Sequence, residues 1–218
     1  MPIDATTSVL IADDHAIVRE GLRRLIEAEP DLHVSGEAAD GREVLDLVER
    51  VHPDVVILDI TMPGLGGLET LERIRSRHPG TRVILLSVHG DAPFVKSAVA
   101  LGADGYLLKN GRASDVILAV RAVIRGGSFF SPPVAREIVK QLRTPGGGDP
   151  EPYSLLSTRE REVLQLIAEG LSAKEVAARL DISTKTVEAH RTSLMRKLGV
   201  RKATELVRYA FRHGLISP

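Results

Sequence analysis

The sequence predicts an α/β domain with a five-stranded parallel sheet, followed by an all-α domain of four helices. Two observations carry this prediction. Before residue 128, short apolar runs alternate with segments in which apolar residues recur at helical spacing. After the segment TPGGGDPEP, residues 144–152, no run typical of a strand follows. Repeated strand–helix units imply right-handed crossovers, with helices on both faces of the sheet.

The elements of the α/β part are predicted one by one from these patterns. The strands are expected at residues 9–12, 32–36, 55–58, 83–87 and 105–108. The third, VVIL, is unbroken apolar sequence and indicates a strand that is covered on both faces. Between the strands, apolar residues lie three or four positions apart, as do Val44, Leu47, Val48 and Val51.

The domain boundaries follow from composition. Three prolines and three glycines in residues 144–152 indicate a solvated linker. Before it, Ser131 and two prolines predict the start of a further helix, to about residue 142. We therefore predict domains at 7–127 and 154–218, joined by a linker helix and a flexible linker at 128–153.

Composition excludes several classes of protein. The 218 residues are 43% hydrophobic, which argues against disorder, and they include no cysteine, which excludes disulfides and thiolate metal sites. No apolar run is long enough for a transmembrane helix, and the N-terminus lacks the pattern of a signal peptide. We expect a cytoplasmic protein without a membrane partner. Net charge is zero, but residues 185–212 hold eight basic and two acidic side chains, which favours a nucleic-acid partner over a merely solvated helix face.

Polar residues follow or end four of the predicted strands. Asp13 and Asp14 follow the first strand, Asp59 the third and Lys109 the fifth, while Ser87 ends the fourth. Because parallel strands end at the same edge of a sheet, these side chains are expected to lie together. Clustered carboxylates call for a cation, and oxygen ligands favour Mg²⁺. Taken singly, each residue has a structural alternative, such as a helix cap for one of the two aspartates.

Four segments, LIADDHAIVREGL, DITMPGLGG, LLSVHG and GADGYLLK, resemble the receiver domain of two-component response regulators, over about residues 7–127. The resemblance implies a flavodoxin-like fold in which Asp59 accepts a phosphoryl group from a sensor histidine kinase. It further implies that Asp13, Asp14, Asp59 and the carbonyl of Thr61 hold Mg²⁺. Lys109 and Ser87 would contact the phosphoryl oxygens. Tyr106 matches the family's switch aromatic, which would fill the space that Ser87 vacates.

The C-terminal part reads as four helices. Ser157 or Thr158 caps the first, Ser172 begins a short second helix, and Ser183 caps a third at 184–198. A short helix, a tight turn and a longer helix form the helix-turn-helix pattern, and residues 202–213 form the last helix. On spacing alone, a small protein-interaction module remains an alternative.

The segment LSTREREVLQLIAEGLSAKEVAARLDISTKTVEAHRTSLMRKLGV resembles the LuxR-type DNA-binding domain, which makes the whole chain resemble a NarL/FixJ-type response regulator. The helix 184–198 would then enter the major groove of double-stranded DNA. Base contacts are expected from Glu188, Ala189 and Thr192. Phosphate contacts are expected from Lys185, Thr186, Arg191, Arg196 and Lys197.

These patterns together predict a phosphorylation-controlled transcription regulator. We hypothesise that phosphorylation of Asp59 frees the helix 184–198 from the receiver and promotes a homodimer. One rival is a Mg²⁺-dependent phosphohydrolase that uses Asp59 as its nucleophile. Thr61 stands where such an enzyme would carry a second carboxylate, so we expect no enzyme activity beyond self-phosphorylation and self-dephosphorylation. A regulator that ignores phosphorylation is a further alternative.

Overall fold

A computed structural model describes residues 6–88, 90, 92–143, 152–212 and 215–216 of the chain. The α/β part contains six strands, β1 (Thr7–Ala12), β2 (Leu32–Ala38), β3 (Val55–Asp59), β4 (Arg82–Ser87), β5 (Gly105–Leu108) and β6 (Phe129–Phe130). Its helices are α1 (Ala16–Glu27), α2 (Gly41–Val51), α3 (Gly67–Arg77), α4 (Ala92–Ala100), α5 (Ala113–Ile124) and α6 (Pro132–Arg143). A 3₁₀ turn (Pro152–Leu155) precedes α7 (Thr158–Ala168), α8 (Ala173–Leu180), α9 (Thr184–Leu198) and α10 (Ala203–Arg212). The predicted order of an α/β domain and then a helical domain is confirmed.

The sheet is parallel throughout, in the order β2-β1-β3-β4-β5-β6. All five residues of β3 are buried because helices cover both faces of the sheet. Chain order reverses at β1, so the carboxyl ends of β1 and β3 form the crevice in which such sheets bind ligands. The topology therefore brings Asp13 and Asp59 together.

The strand count differs from the prediction by one. Phe129 and Phe130 pair in parallel with β5, opposite Gly105 and Tyr106. Two residues are too few to show the alternation that identifies a strand, and they follow Gly126, whose φ of +80° ends α5. The strand was missed for that reason.

The first two α-helices of the helical part begin with the same kind of N-terminal cap. Ser157 and Glu160 form a capping box on α7, and Ser172 and Glu175 form another on α8. Asp181 has left-handed backbone geometry, with φ of +52°, and this tight turn separates α8 from α9. The helix-turn-helix pattern is therefore present, and α9 spans the predicted residues.

The two parts share one buried apolar cluster. Leu58, Phe94 and Tyr106 of the α/β part belong to it, as do Tyr153 and Leu164 of the helical part. The predicted linker 144–152 lies outside the described residues except for Pro152, which begins the 3₁₀ turn. The helical part thus packs directly on the sheet domain.

Candidate functional site

Carboxylates from two strand ends converge at the crevice. Asp13, Asp14, His15 and Asp59 each offer a ligand atom, and these atoms all lie within 4.8 Å of one another. Asp13 is fully buried and Asp59 is 2% exposed, because each directly ends or follows a core strand. The predicted meeting of the aspartates is therefore observed.

Lys109 joins these carboxylates. Its Nζ lies 2.7 Å from Asp13 Oδ2 and 2.8 Å from Asp59 Oδ2. Its position is fixed by the backbone, since the Lys109 amide donates to the carbonyl of Ser87 at 2.7 Å. The end of β5 thus holds an ammonium group against two buried carboxylates.

For both Asp59 and Lys109, burial and the neighbouring opposite charges shift the pKa in opposite directions. Burial raises the pKa of Asp59 to about 6, and the Asp13 charge adds to this, while Lys109 works to lower the pKa. Burial lowers the pKa of Lys109, but the Asp59 and Asp13 carboxylates outweigh burial and raise it overall. A carboxylate that is costly to keep ionised is one that gains by pairing with a cation.

The donor set fits a hard divalent cation. Carboxylate oxygens of Asp13, Asp14 and Asp59 are the ligands that Mg²⁺ prefers, and the amide of Thr61 donates to Asp59 Oδ1 at 3.3 Å, which places that residue beside the carboxylates. The neighbouring His15 was not predicted. Its Nδ1 lies 2.7 Å from Asp14 Oδ1 and its amide donates to Asp13 at 2.9 Å. Its position directly after Asp13 and Asp14 in the sequence could have indicated that it lies at the site.

Ser87 and Tyr106 lie on the paired strands β4 and β5, two residues out of register, since Tyr106 pairs with Leu85 and Ser87 pairs with Leu108. Ser87 is 1% exposed at the end of β4. Tyr106 is fully buried, and its movement into space vacated by Ser87 on phosphorylation stays a prediction. A second buried serine, Ser131, was expected only to cap α6, but its Oγ accepts from the Leu108 amide at 3.2 Å and supports β5.

The exposed face of α9 carries the side chains that were predicted to bind DNA. Lys185, Ala189, Thr192 and Arg196 are exposed, whereas Val187, Leu194 and Leu198 are buried against the rest of the domain. Arg191 donates to Glu188 at 3.1 Å, so these two predicted contact residues form an ion pair. Thr186 lies at the helix start, where its amide donates to Ser183 Oγ at 3.0 Å.

Comparison with known proteins matches both parts of the chain. Residues 9–121 match the family described as response regulator receiver domain, and residues 154–210 match the LuxR family of bacterial regulatory proteins. The oxygen regulatory protein NreC of Staphylococcus carnosus (strain TM300) is 38% identical over 213 residues, covering 95% of this chain and 98% of NreC. The chain belongs to the NarL/FixJ-type response regulators.

Solved structures of other response regulators are similar to this chain. RcsB from Salmonella enterica serovar Typhimurium, bound to the promoter P1flhDC with phosphomimetic BeF₃⁻, is 31% identical with a TM-score of 0.67, covering 94% of this chain and 98% of that one. A LuxR-family response regulator from Aurantimonas sp. SI85-9A1 is 37% identical with a TM-score of 0.61, covering 64% and 99%. This response regulator therefore joins a receiver domain to a LuxR-type DNA-binding domain in a two-component system of transcription regulation. Within the described residues, no helix is both long and apolar enough to cross a membrane.

Lys197, which was predicted as a phosphate contact, also has partners within the LuxR-type domain. Its Nζ lies 2.6 Å from Glu160 Oε2 and donates to the Leu155 carbonyl at 2.9 Å, which ties α9 to the start of α7. The basic spacing on α9 gave no sign of this, because Glu160 stands 37 positions earlier in the chain. Lys197 therefore has a structural role within the LuxR-type domain, and its contact with phosphate stays a prediction.

The LuxR-type domain is docked on the receiver through α7 and the 3₁₀ turn rather than through α9. Tyr153 is buried, its ring centre lies 6.4 Å from that of Phe94 on α4, and its hydroxyl donates to Glu69 of α3 at 3.3 Å. Thr158 donates to Glu72 at 2.8 Å. Lys185, Ala189 and Thr192 of α9 are exposed in this docked form, and the release of α9 on phosphorylation stays a prediction.

Proposed function

We propose that this response regulator accepts a phosphoryl group on Asp59 from a phosphohistidine of a sensor histidine kinase, and binds DNA in response. One observation carries the proposal: Lys109 Nζ contacts the buried carboxylates of Asp13 and Asp59 at the crevice of the sheet, in a chain that also presents an exposed helix-turn-helix face. A carboxylate nucleophile beside a fixed cation suits phosphoryl transfer.

The transfer step uses groups of known position. An Asp59 oxygen attacks phosphorus, the P–N bond to the donor histidine breaks, and the imidazole leaves with the electron pair. Lys109 offsets charge on the phosphoryl oxygens, and Ser87 offers a hydroxyl to one of them. Asp13, Asp14, Asp59 and the Thr61 carbonyl would hold Mg²⁺, which when bound supplies further neutralisation of phosphoryl charge.

The output is proposed to be the entry of α9 into the major groove of double-stranded DNA. Exposed Lys185, Ala189 and Thr192 lie on its first turns, where such helices contact bases and phosphates. The DNA and dimer structures of RcsB support this assignment by relationship. Val207 and Phe211, 38% and 52% exposed, form an apolar strip on α10 that suits pairing of two LuxR-type domains on adjacent half-sites. With DNA as its ligand, the protein would act in the cytoplasm.

The chemistry of Asp59 is tested by labelling the full-length protein with a small radioactive acyl-phosphate donor in Mg²⁺. Wild-type protein should take up about one label per chain, and Asp59→Asn should take up none. Asp46→Asn, which changes an exposed aspartate of α2, should label like the wild type. Label that persists on Asp59→Asn would rule out Asp59 as the acceptor.

The same preparation tests whether the protein is an enzyme. We propose that it reacts once and then only loses its own phosphoryl group, so steady release of phenolate from a phenyl phosphate ester is not expected. Sustained turnover that depends on Asp59 would support the phosphohydrolase alternative instead.

A further inference from the structure

The LuxR-type domain contacts the loop that leads out of the phosphoacceptor site. Gln165 of α7, 7% exposed, donates from Nε2 to the carbonyl of Met62. Glu169, one turn further on, accepts from the Gly64 amide at 3.0 Å and from Gln165 Nε2 at 3.1 Å. Two polar side chains of α7 are therefore bonded to the receiver backbone within five residues of Asp59.

This loop also shapes the acidic site. Its ends are fixed by receiver bonds, from the Ile60 amide to the Leu86 carbonyl and from the Gly67 amide to the Ile60 carbonyl. Between them, the Thr61 amide donates to Asp59, and the next residue, Met62, is the one bonded by Gln165. A side chain from the other domain therefore bonds the carbonyl of the Met62–Pro63 peptide, one residue beyond the Thr61 carbonyl.

A cleft between the domains shows how near α7 lies to the acidic site. Its volume is about 320 Å³, and it is lined by Asp14, Thr61 and Met62 on the receiver and by Ala168 and Glu169 on α7. Asp14 and Thr61, which follow different strands and are predicted to hold the cation, thus border the same cleft as the C-terminal end of α7.

We propose that Gln165 is a positioning residue for the cation site, acting on the Thr61 carbonyl through the Met62 peptide. The inference rests on the proposed function, since it takes the acidic site to bind Mg²⁺. By the reciprocity of linked equilibria, Mg²⁺ then strengthens docking of the LuxR-type domain by the same factor with which docking strengthens Mg²⁺ binding. The docked LuxR-type domain then contributes to the cation site of the receiver as well as to DNA binding.

Of the two side chains that bond the loop after Asp59, Gln165 is expected to have the larger effect. It is buried and bonds a carbonyl that faces away from water, whereas Glu169 is exposed and can be replaced by solvent. Loss of a buried hydrogen bond has the larger effect, since the acceptor is left without its partner.

The test is calorimetric titration of Mg²⁺ into unphosphorylated full-length protein. Gln165→Leu should weaken Mg²⁺ binding about threefold to tenfold, the range of one buried hydrogen bond. Gln165→Asn, which is one methylene too short to reach Met62, should do the same. The matched control is Thr158→Val, which removes the bond to Glu72 from the same interface without touching the loop, and its affinity should stay within twofold of the wild type.

A kinetic measurement separates positioning from a general loss of structure. With the small acyl-phosphate donor, the Mg²⁺ concentration for half-maximal labelling should rise in Gln165→Leu, while the rate at saturating Mg²⁺ stays unchanged. Unaltered Mg²⁺ affinity in both Gln165 variants, or an equal loss in Thr158→Val, would overturn the inference. If the wild-type protein neither binds Mg²⁺ nor takes up label, the proposed function fails first.

Discussion

Asp59 is held between two opposing effects, and their balance sets the pH range in which it can act. Burial and the Asp13 carboxylate raise its pKa to about 6, although Lys109 lies 2.8 Å away and favours the ionised form. The proposed function needs ionised Asp59 both as nucleophile and as metal ligand. Protons and a cation therefore compete for the same group just below neutral pH.

Mg²⁺ binding should accordingly depend on pH between about 5 and 7. Because the folded pKa of Asp59 is raised, the protonated form is favoured below about pH 6, and affinity should fall roughly tenfold per pH unit there and level off above pH 7. Calorimetric titration across this range measures the effect, and Asp59→Asn should flatten the curve. Constant wild-type affinity from pH 5 to 7 would contradict the raised pKa.

The site residues were predictable because each stands at a strand end. Asp13, Asp59, Ser87 and Lys109 all follow or close short apolar runs, and the parallel topology converts those separate positions into one crevice. Gln165 had no comparable signal. It is a polar residue within an amphipathic helix, and its importance comes from a domain contact that no local pattern encodes.

Helices α7 and α8 begin with the same capping pattern but differ in the surroundings of their capping residues. Each starts with a serine cap and a glutamate at the third helical position. Glu160 is buried and paired with Lys197, and although burial raises its pKa, bonds from Lys197 and Ser157 lower it overall to about 2. Glu175 on α8 is exposed, and its bonds are with Ser172.

The two capping boxes give a matched pair for measuring this difference. Because its folded pKa is depressed, Glu160 contributes stability that is fully present above about pH 4.5 and lost as pH falls toward 2, at most about 3 kcal/mol. Glu160→Gln retains the cap but removes the charge, and should lower the urea midpoint of the full-length chain at pH 7. Glu175→Gln should lower it much less. Equal midpoints for the two variants would show that Lys197 adds nothing.

Helix positions followed from the sequence more closely than the contacts between helices did. The segment 184–198 was predicted and observed as α9, since a serine cap, a buried apolar face and Gly199 define its ends. The contact of Lys197 with Glu160 was not predicted, because its partner lies in another helix. Likewise, β6 exists only through its pairing with β5 and has too few residues to be read from its own sequence.

For the whole molecule, we propose that coupling between Asp59 and DNA passes through the docked interface. Tyr106, Phe94 and Tyr153 belong to one buried cluster that runs from the receiver core to the 3₁₀ turn before α7. Glu69, which accepts from Tyr153, is also buried, and burial raises its pKa. A repacking near Ser87 and Tyr106 can therefore loosen the contact that holds the LuxR-type domain.

Docking in this form holds the LuxR-type domain on the receiver without covering the α9 side chains that are predicted to contact DNA. Lys185, Ala189 and Thr192 are exposed while α7 is bound to the receiver. We propose that regulation controls how two LuxR-type domains pair on DNA, since one domain alone offers little contact area. We propose that phosphorylation acts by freeing α7 from the receiver.

The most direct measurement is the affinity of full-length protein for its genomic binding fragments, with and without acyl-phosphate treatment in Mg²⁺, at a fixed salt concentration. Phosphorylation should tighten binding by at least about fivefold, the lower end of typical coupling between sites. Asp59→Asn should bind like the untreated wild type under both conditions. Equal binding by treated and untreated wild-type protein, with label confirmed on Asp59, would contradict the coupling of phosphorylation to DNA.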